Sequence, residues 1–178
     1  MAGVEAVPRV GFSSDVGVSV KVYLDTTAVI LFLFGQQRHP DRYAEIAALF
    51  DALDAGRLEA VVSIYALQEL CAFCYGNFPV EQAPRVTRLA FHELLGHELL
   101  LAPLLTRMER IILSRRFPLK GASDQAHVAT AYHNGCQAII TYDQYYQDIA
   151  NRFSCLTAGE ALARLAQESL QNPDADQT

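Results

Sequence analysis

Tryptophan is absent from this sequence, lysine occurs only as Lys21 and Lys120, and cysteine only four times. Four cysteines in 178 residues without a repeating spacing do not form a disulfide framework. The "CAFC" pair, Cys71 and Cys74, has no second pair to complete a zinc tetrahedron, which leaves two thiols buried on a helix as the expectation. The longest apolar run, Ala28–Gly35, falls far short of the roughly 20 residues a membrane span needs. The start of the chain lacks the basic residues and continuous apolar middle of a signal peptide, so a soluble cytoplasmic protein with no membrane partner is expected. Neither a G-x-x-x-x-G-K-S/T loop nor a G-x-G-x-x-G turn is present, which removes the common nucleotide-binding classes. Cations are scarcer than anions, 14 against 20, for a net charge of −6. That balance argues against unspecific coating of nucleic acid.

Just over half of the residues are apolar, enough for one domain with a sizeable core. Residues 1–19 mix Gly, Pro and Ser without periodicity and read as a flexible extension. Residues 20–170 carry the domain, and 171–178 form a polar, disordered tail. "VKVYLD" is a buried strand ending at Asp25, after which Thr26 or Thr27 caps a helix through "AVILFLFG". "DRYAEIAALFDALDAG" has helical spacing; "LEAVVSI" is a strand, "YALQELCAFCYG" a helix, and Pro79 to Leu95 a further helical section. "HELLLAP" is a third strand, followed by helices in "LLTRMERIILSRRF" and, from Ser123 to Gly135, "GASDQAHVATAYHNG". "QAIITYD" and "FSCLT" are the last strands, separated by a short helical turn, and "AGEALARLAQESL" is the closing helix. Strands alternating with helices imply a three-layer α/β/α fold with a mostly parallel sheet.

Sites in such sheets form beyond the carboxyl ends of the strands. Asp25 and Asp143 each close a buried strand, Asp124 opens a helix, and Glu69 lies inside another. Singly, capping explains Asp124 and a solvent-facing position explains Glu69. Gathered together, four carboxylates repel one another unless a cation neutralises them. Oxygen-only ligands of this kind suit Mg²⁺ or Mn²⁺, which take phosphate oxygens as well. "RMERIILSRRFPLK" sets five cations against one glutamate and is either a solvated helix face or a strip that guides a polyanion.

"VYLDTTAVI", "SIYALQEL", "GASDQAHVATA" and "AIITYDQYYQDI", in that order, resemble the PIN domain, and in particular the VapC-type endoribonuclease toxins of bacteria. The resemblance covers about residues 20 to 157 and implies a metal-dependent ribonuclease leaving 5′-phosphate and 3′-hydroxyl ends. It makes Asp25 the central metal ligand and catalytic acid, joined by Glu69, by Asp124 of the D-x-x-x-A helix and by Asp143 of the T-x-D element. Thr141 fits a hydroxyl position beside these acids, and Thr26 does similar work. Asp148 is an extra acid set further along than usual. Arg115, Arg116 and Lys120, just before the Asp124 helix, are the better candidates to guide RNA; Arg107 and Arg110 lie further off. A small antitoxin and a homodimer are the implied partners, with "AVILFLF" and "LAFHELL" as interface or core. His127 stands where relatives carry a small or apolar residue, and is read first as a packed helix residue.

Three other readings compete with this one. "HELLGHE" places His92 and His97 five residues apart, so on a helix the rings diverge by roughly 140° and cannot share a zinc. A haloacid-dehalogenase-like phosphatase would use Asp25 as nucleophile, but Thr27 stands where its second acid belongs. A non-catalytic PIN-like binding module would have lost one or more acids, and all four are present.

Overall fold

A computed structural model describes residues 20–117 and 121–171. The expected extension at 1–19, Lys120 and the tail beyond 171 lie outside the described residues. The central strand β1 (Val20–Leu24) pairs in parallel with β2 (Leu58–Ser63) on one side and β4 (Ala138–Ile140) on the other. The outer strands β3 (Leu99–Ala102) and β5 (Ser154–Leu156) give an all-parallel sheet of order β3-β2-β1-β4-β5. Seven α-helices fill the connections among the described residues: α1 (Thr26–Phe34), α2 (Pro40–Asp54), α3 (Ile64–Asn77), α4 (Ala83–Leu94), α5 (Arg107–Arg116), α6 (Ala122–His133) and α7 (Ala158–Gln171). A short 3-10 helix spans Gln144–Ile149.

Strand side chains alternate between faces, and this alternation divides the core. Val22 aligns with Ala60 and Ala138, and these join Leu24, Val62 and Ile140 in packing against α1, α2, α3 and α4. Tyr23 aligns with Val61 and Ile139 on the opposite face, where Val128 of α6, Phe117, Tyr146 and Ile149 cover it. Gly56 and Gly135, with φ near +70°, make the left-handed turns that precede β2 and β4.

Two sequence expectations are corrected. The N-cap of α1 is neither threonine but Asp25, whose side chain accepts the Thr27 backbone N–H. The strand of "QAIITYD" stops at Ile140, so Asp143 lies three residues beyond it. Of the helices considered for an interface, α1 sends Ala28, Val29 and Leu31 into the core, and α4 buries Ala90 and Leu94 while exposing Leu89 and Leu95. Among the described residues no helix is long and apolar enough to cross a membrane.

Candidate active site

β1 leads to β2 and β3 on one side, whereas β4 and β5 lie on the other, so the order reverses between β1 and β4. Ligand sites in open parallel sheets form at this switch point. One further bond past each strand carries the ladder to it: Asp25 N–H donates to Ile140 O at 3.1 Å, and Thr141 N–H to Leu156 O at 2.9 Å. Asp25 and Thr141 are thereby set side by side beyond the sheet.

Asp25 is buried, and its charge is satisfied by hydroxyl groups. Thr27 and Thr141 donate to Oδ2 at 2.7 and 3.0 Å, and Tyr146 donates to Oδ1 at 3.0 Å. Thr27 Oγ1 accepts the Tyr142 N–H, and Thr141 Oγ1 accepts the Asp143 N–H, both at 3.1 Å. The loop bearing Asp143 is thus tied to the threonines that orient Asp25. Burial pushes the Tyr146 phenol far above its ordinary pKa, reinforced by Asp25, so it remains a donor. Asp143 is half-buried, and its Oδ1 accepts the Tyr145 N–H at 2.9 Å.

Glu69, expected at worst to face solvent, is half-buried and held by two groups. Thr26 Oγ1 donates to its Oε2, and His127 Nε2 stands 3.0 Å from the same oxygen. The role expected of Thr26 beside the acids therefore falls on Glu69. His127 is buried as a packed helix residue would be, yet its ring also reaches the site. Its Nδ1 is 2.6 Å from the Tyr23 hydroxyl, which is 2.6 Å from Ser63 Oγ.

Asp124, in the first turn of α6, lies within electrostatic reach of the other acids. Burial raises its pKa first, and the charges of Asp143, Asp25 and Glu69 raise it further, against an opposing effect of His127. Asp124 thus feels the charges of three carboxylates that come from separate elements. Among the described residues, no three His, Cys, Asp or Glu side chains gather closely enough to hold a metal ion by themselves. The donor set nonetheless fits a hard divalent cation in kind: all its ligands are oxygens, and their mutual repulsion is what such an ion would relieve.

Of the cations expected to guide a polyanion, Lys120 lies outside the described residues. Arg107, Arg110, Arg115 and Arg116 are exposed on α5. The Arg116 guanidinium sits 4.5 Å from the centroid of Tyr132. Tyr132 follows Asp124 by two turns of α6, about 12 Å along its axis. Asp148 is exposed in the 3-10 helix. His97 hydrogen-bonds Asp54 at 2.8 Å and meets Phe50 edge-on, a structural histidine as expected.

Sequence reasoning missed Thr27, Tyr146 and Tyr23 as parts of the site. Thr27 was legible in principle, because a hydroxyl two residues after a strand-end acid can bond back to it. The tyrosines left only a weak signal: buried phenols need a partner.

The sequence matches the model of the PIN domain over residues 22–152. No curated protein matches it. Among solved structures, VapBC2 from Rickettsia felis, crystallised with a DNA fragment from its promoter, is 15% identical with a TM-score of 0.56, over 78% of this chain and 98% of that one. VapC20 from Mycobacterium tuberculosis, a sarcin-ricin loop cleaving toxin, is 12% identical with a TM-score of 0.55, over 74% and 95%. FitAcB from Neisseria gonorrhoeae is 15% identical with a TM-score of 0.52, over 77% and 97%. At these identities the likeness is one of fold.

Proposed function

The chain belongs to the PIN domain family, and from that premise we propose that it is a metal-dependent endoribonuclease, the toxin of a toxin–antitoxin pair. The observation that carries the reading is the buried Asp25, held by Thr27, Thr141 and Tyr146 at the switch point of the sheet, with Asp143 on the loop tied to the same network. A site of carboxylates oriented by hydroxyl groups suits metal-assisted phosphodiester hydrolysis.

The four acids would hold Mg²⁺ or Mn²⁺, which when bound supplies the polarisation of the phosphodiester and activation of water for in-line attack. Such ions keep several waters and take substrate phosphate oxygens, so a closed cage of protein ligands is not required. The protein's own contribution is orientation. Thr27, Thr141 and Tyr146 fix both oxygens of Asp25; Thr26 and His127 fix Glu69; the Thr141 hydroxyl ties the Asp143 backbone to the same network. Four donors on Asp25, three hydroxyls and the Thr27 N–H, also make it a poor nucleophile, which disfavours the aspartyl-phosphate chemistry of a phosphatase. Arg115 and Arg116 serve the RNA backbone away from the cut. The antitoxin role of a partner protein rests on the fold shared with VapBC2.

The test is RNA cleavage after chelation and metal add-back, comparing the parent with Asp25→Asn and Asp143→Asn. Cleavage restored by Mn²⁺ or Mg²⁺ in the parent alone, leaving 5′-phosphate ends, is the expected result. Cleavage indifferent to chelation, or equal in Asp25→Asn, overturns the reading. Phosphate released from small esters through a trapped aspartyl intermediate would establish the phosphatase instead.

A further inference from the structure

A cavity of about 280 Å³ opens between α1, the start of α2 and α3, beside the carboxylates. Its wall toward them is made by Thr27, which donates to Asp25, and by Tyr142, the residue before Asp143. Its floor is apolar, with Phe34 and Phe73 tilted together at 5.4 Å between centroids. Arg38 and Arg42 line it as well and are exposed. The Arg42 guanidinium lies 5.7 Å from the centroid of the Tyr142 ring.

These features have separate ordinary explanations, since exposed arginines keep helices soluble and apolar floors occur in many grooves. Their conjunction is narrower. A π face, an apolar floor and two guanidinium groups converge one residue from an acid proposed to act on phosphodiesters, in a protein whose net charge is −6. An apolar protein helix would not need cations on this rim, whereas a polynucleotide needs both elements: a surface for its base and charge for its phosphate. Burial of the Tyr142 phenol raises its pKa, and the ring lines the cavity beside Thr27.

We propose that this cavity is a nucleotide subsite, in which the base of a single-stranded RNA residue flanking the scissile bond packs against Tyr142 and the neighbouring phosphates pair with Arg38 and Arg42. The assignment rests on the nuclease reading above, and it adds a base contact on the α1–α2 side to the backbone contacts proposed for α5. An unpaired base enters this cavity; a base held in a duplex does not.

The experiment measures anisotropy of fluorescein-labelled oligo(U) and oligo(A) with the full chain in EDTA, then cleavage with metal restored. Tyr142→Ala is expected to weaken binding about 5- to 150-fold, the range of one base–aromatic stack, while Tyr142→Phe keeps the ring and binds as the parent does. Arg38→Ala with Arg42→Ala raises Kd and KM, lowers the salt dependence and leaves kcat near the parent value. Both arginines are exposed, so this pair tests the subsite even if Tyr142→Ala fails to fold. Parent-like RNA binding and KM in the arginine pair, with cleavage intact, overturns the subsite and leaves the nuclease reading standing. Loss of affinity for a protein partner with RNA binding unchanged overturns it too. Arginine-dependent RNA binding without any metal-restored cleavage supports the subsite and removes the nuclease.

Discussion

His127 Nε2 stands 3.0 Å from Glu69 Oε2, and its Nδ1 stands 2.6 Å from the Tyr23 hydroxyl. The surrounding bonds select one arrangement of protons. The Ala66 N–H donates to Ser63 Oγ at 3.2 Å, Ser63 O–H donates to Tyr23, and Tyr23 O–H donates to Nδ1, so Nε2–H is directed at the carboxylate. The reverse order leaves the hydrogen of a fully buried serine without an acceptor among the described residues, and turns a ring lone pair toward Glu69. Burial holds the Tyr23 phenol far above its ordinary pKa, which keeps it a donor. The histidine is a positioning residue: it aims Glu69 from the protein interior.

His127→Leu is expected to raise the Mn²⁺ concentration for half-maximal cleavage, or lower cleavage, about 10- to 100-fold, as loss of an outer partner of a metal ligand does. It should also cost about 1–3 kcal/mol of stability, since buried polar neighbours lose a partner. His127→Gln, which can place an amide N–H near the lost Nε2–H, should recover part of the metal response. Nitrogen NMR of the parent should find a proton on Nε2 directed at Glu69; a bare Nε2, or a metal response in His127→Leu equal to the parent's, would refute the positioning role.

Asp124 sets a pH dependence with a definite sign. Its pKa in the folded chain is raised, chiefly by burial and then by Asp143, Asp25 and Glu69. Between the unfolded value of about 3.9 and the raised folded value, the folded state binds more protons than the unfolded one. The metal-free protein should therefore lose stability as pH climbs through that window. Thermal melts in chelator across this range should show the decline, and Asp124→Asn should flatten it while abolishing cleavage. A metal-free Asp124→Asn that melts below the parent above the window would contradict the repulsion.

Gly121 makes room for that carboxylate. Its φ of −85° suits any residue, so the requirement is space: a Cβ there would collide with Asp124 Oδ2. Gly121→Ala should fold yet cleave on the order of 100-fold more slowly, because Asp124 must turn away. Gly76→Ala in α3 is the control, where nothing lies within 4 Å of an added Cβ. Circular dichroism and cleavage rates on both variants separate misplacement from unfolding; equal rates would show that Asp124 need not stand where it does.

The order of strands and helices was legible because apolar runs, Gly56 and Gly135 mark it locally. The place of Asp25 was legible because strand ends are where parallel sheets place sites, whereas Asp143 stands on the loop beyond its strand. The hydroxyls that orient them were not, because their partners are distant in the chain: Tyr146 lies 121 residues from Asp25. No local spacing predicts that bond. His127 was read as packing for a related reason: periodicity reports that a residue faces inward, and only the fold reports which carboxylate it meets. The capping of α1 by Asp25 rather than a threonine shows the same limit at short range, since all three residues suit the position.

The last prediction concerns the far edge of the sheet. Among the described residues β3 has a neighbour on one side only, and its Leu100 and Leu101 are each 48% exposed. Beside them in the chain, Leu104 at 47%, Met108 at 65% and Ile112 at 61% continue the apolar surface onto α5. An uncovered apolar edge strand invites pairing with another chain. This face, rather than "AVILFLF" of α1, is where the homodimer implied by the family would close. Light scattering of the full chain should find a dimer, and Leu101→Asp with Met108→Asp should convert it to a folded monomer. Both substitutions are at exposed positions, so the melting temperature of the monomer reports any damage separately. A dimer that survives them places the interface elsewhere, with Leu89 and Leu95 of the α4 end next to test, and a monomeric parent removes the dimer altogether.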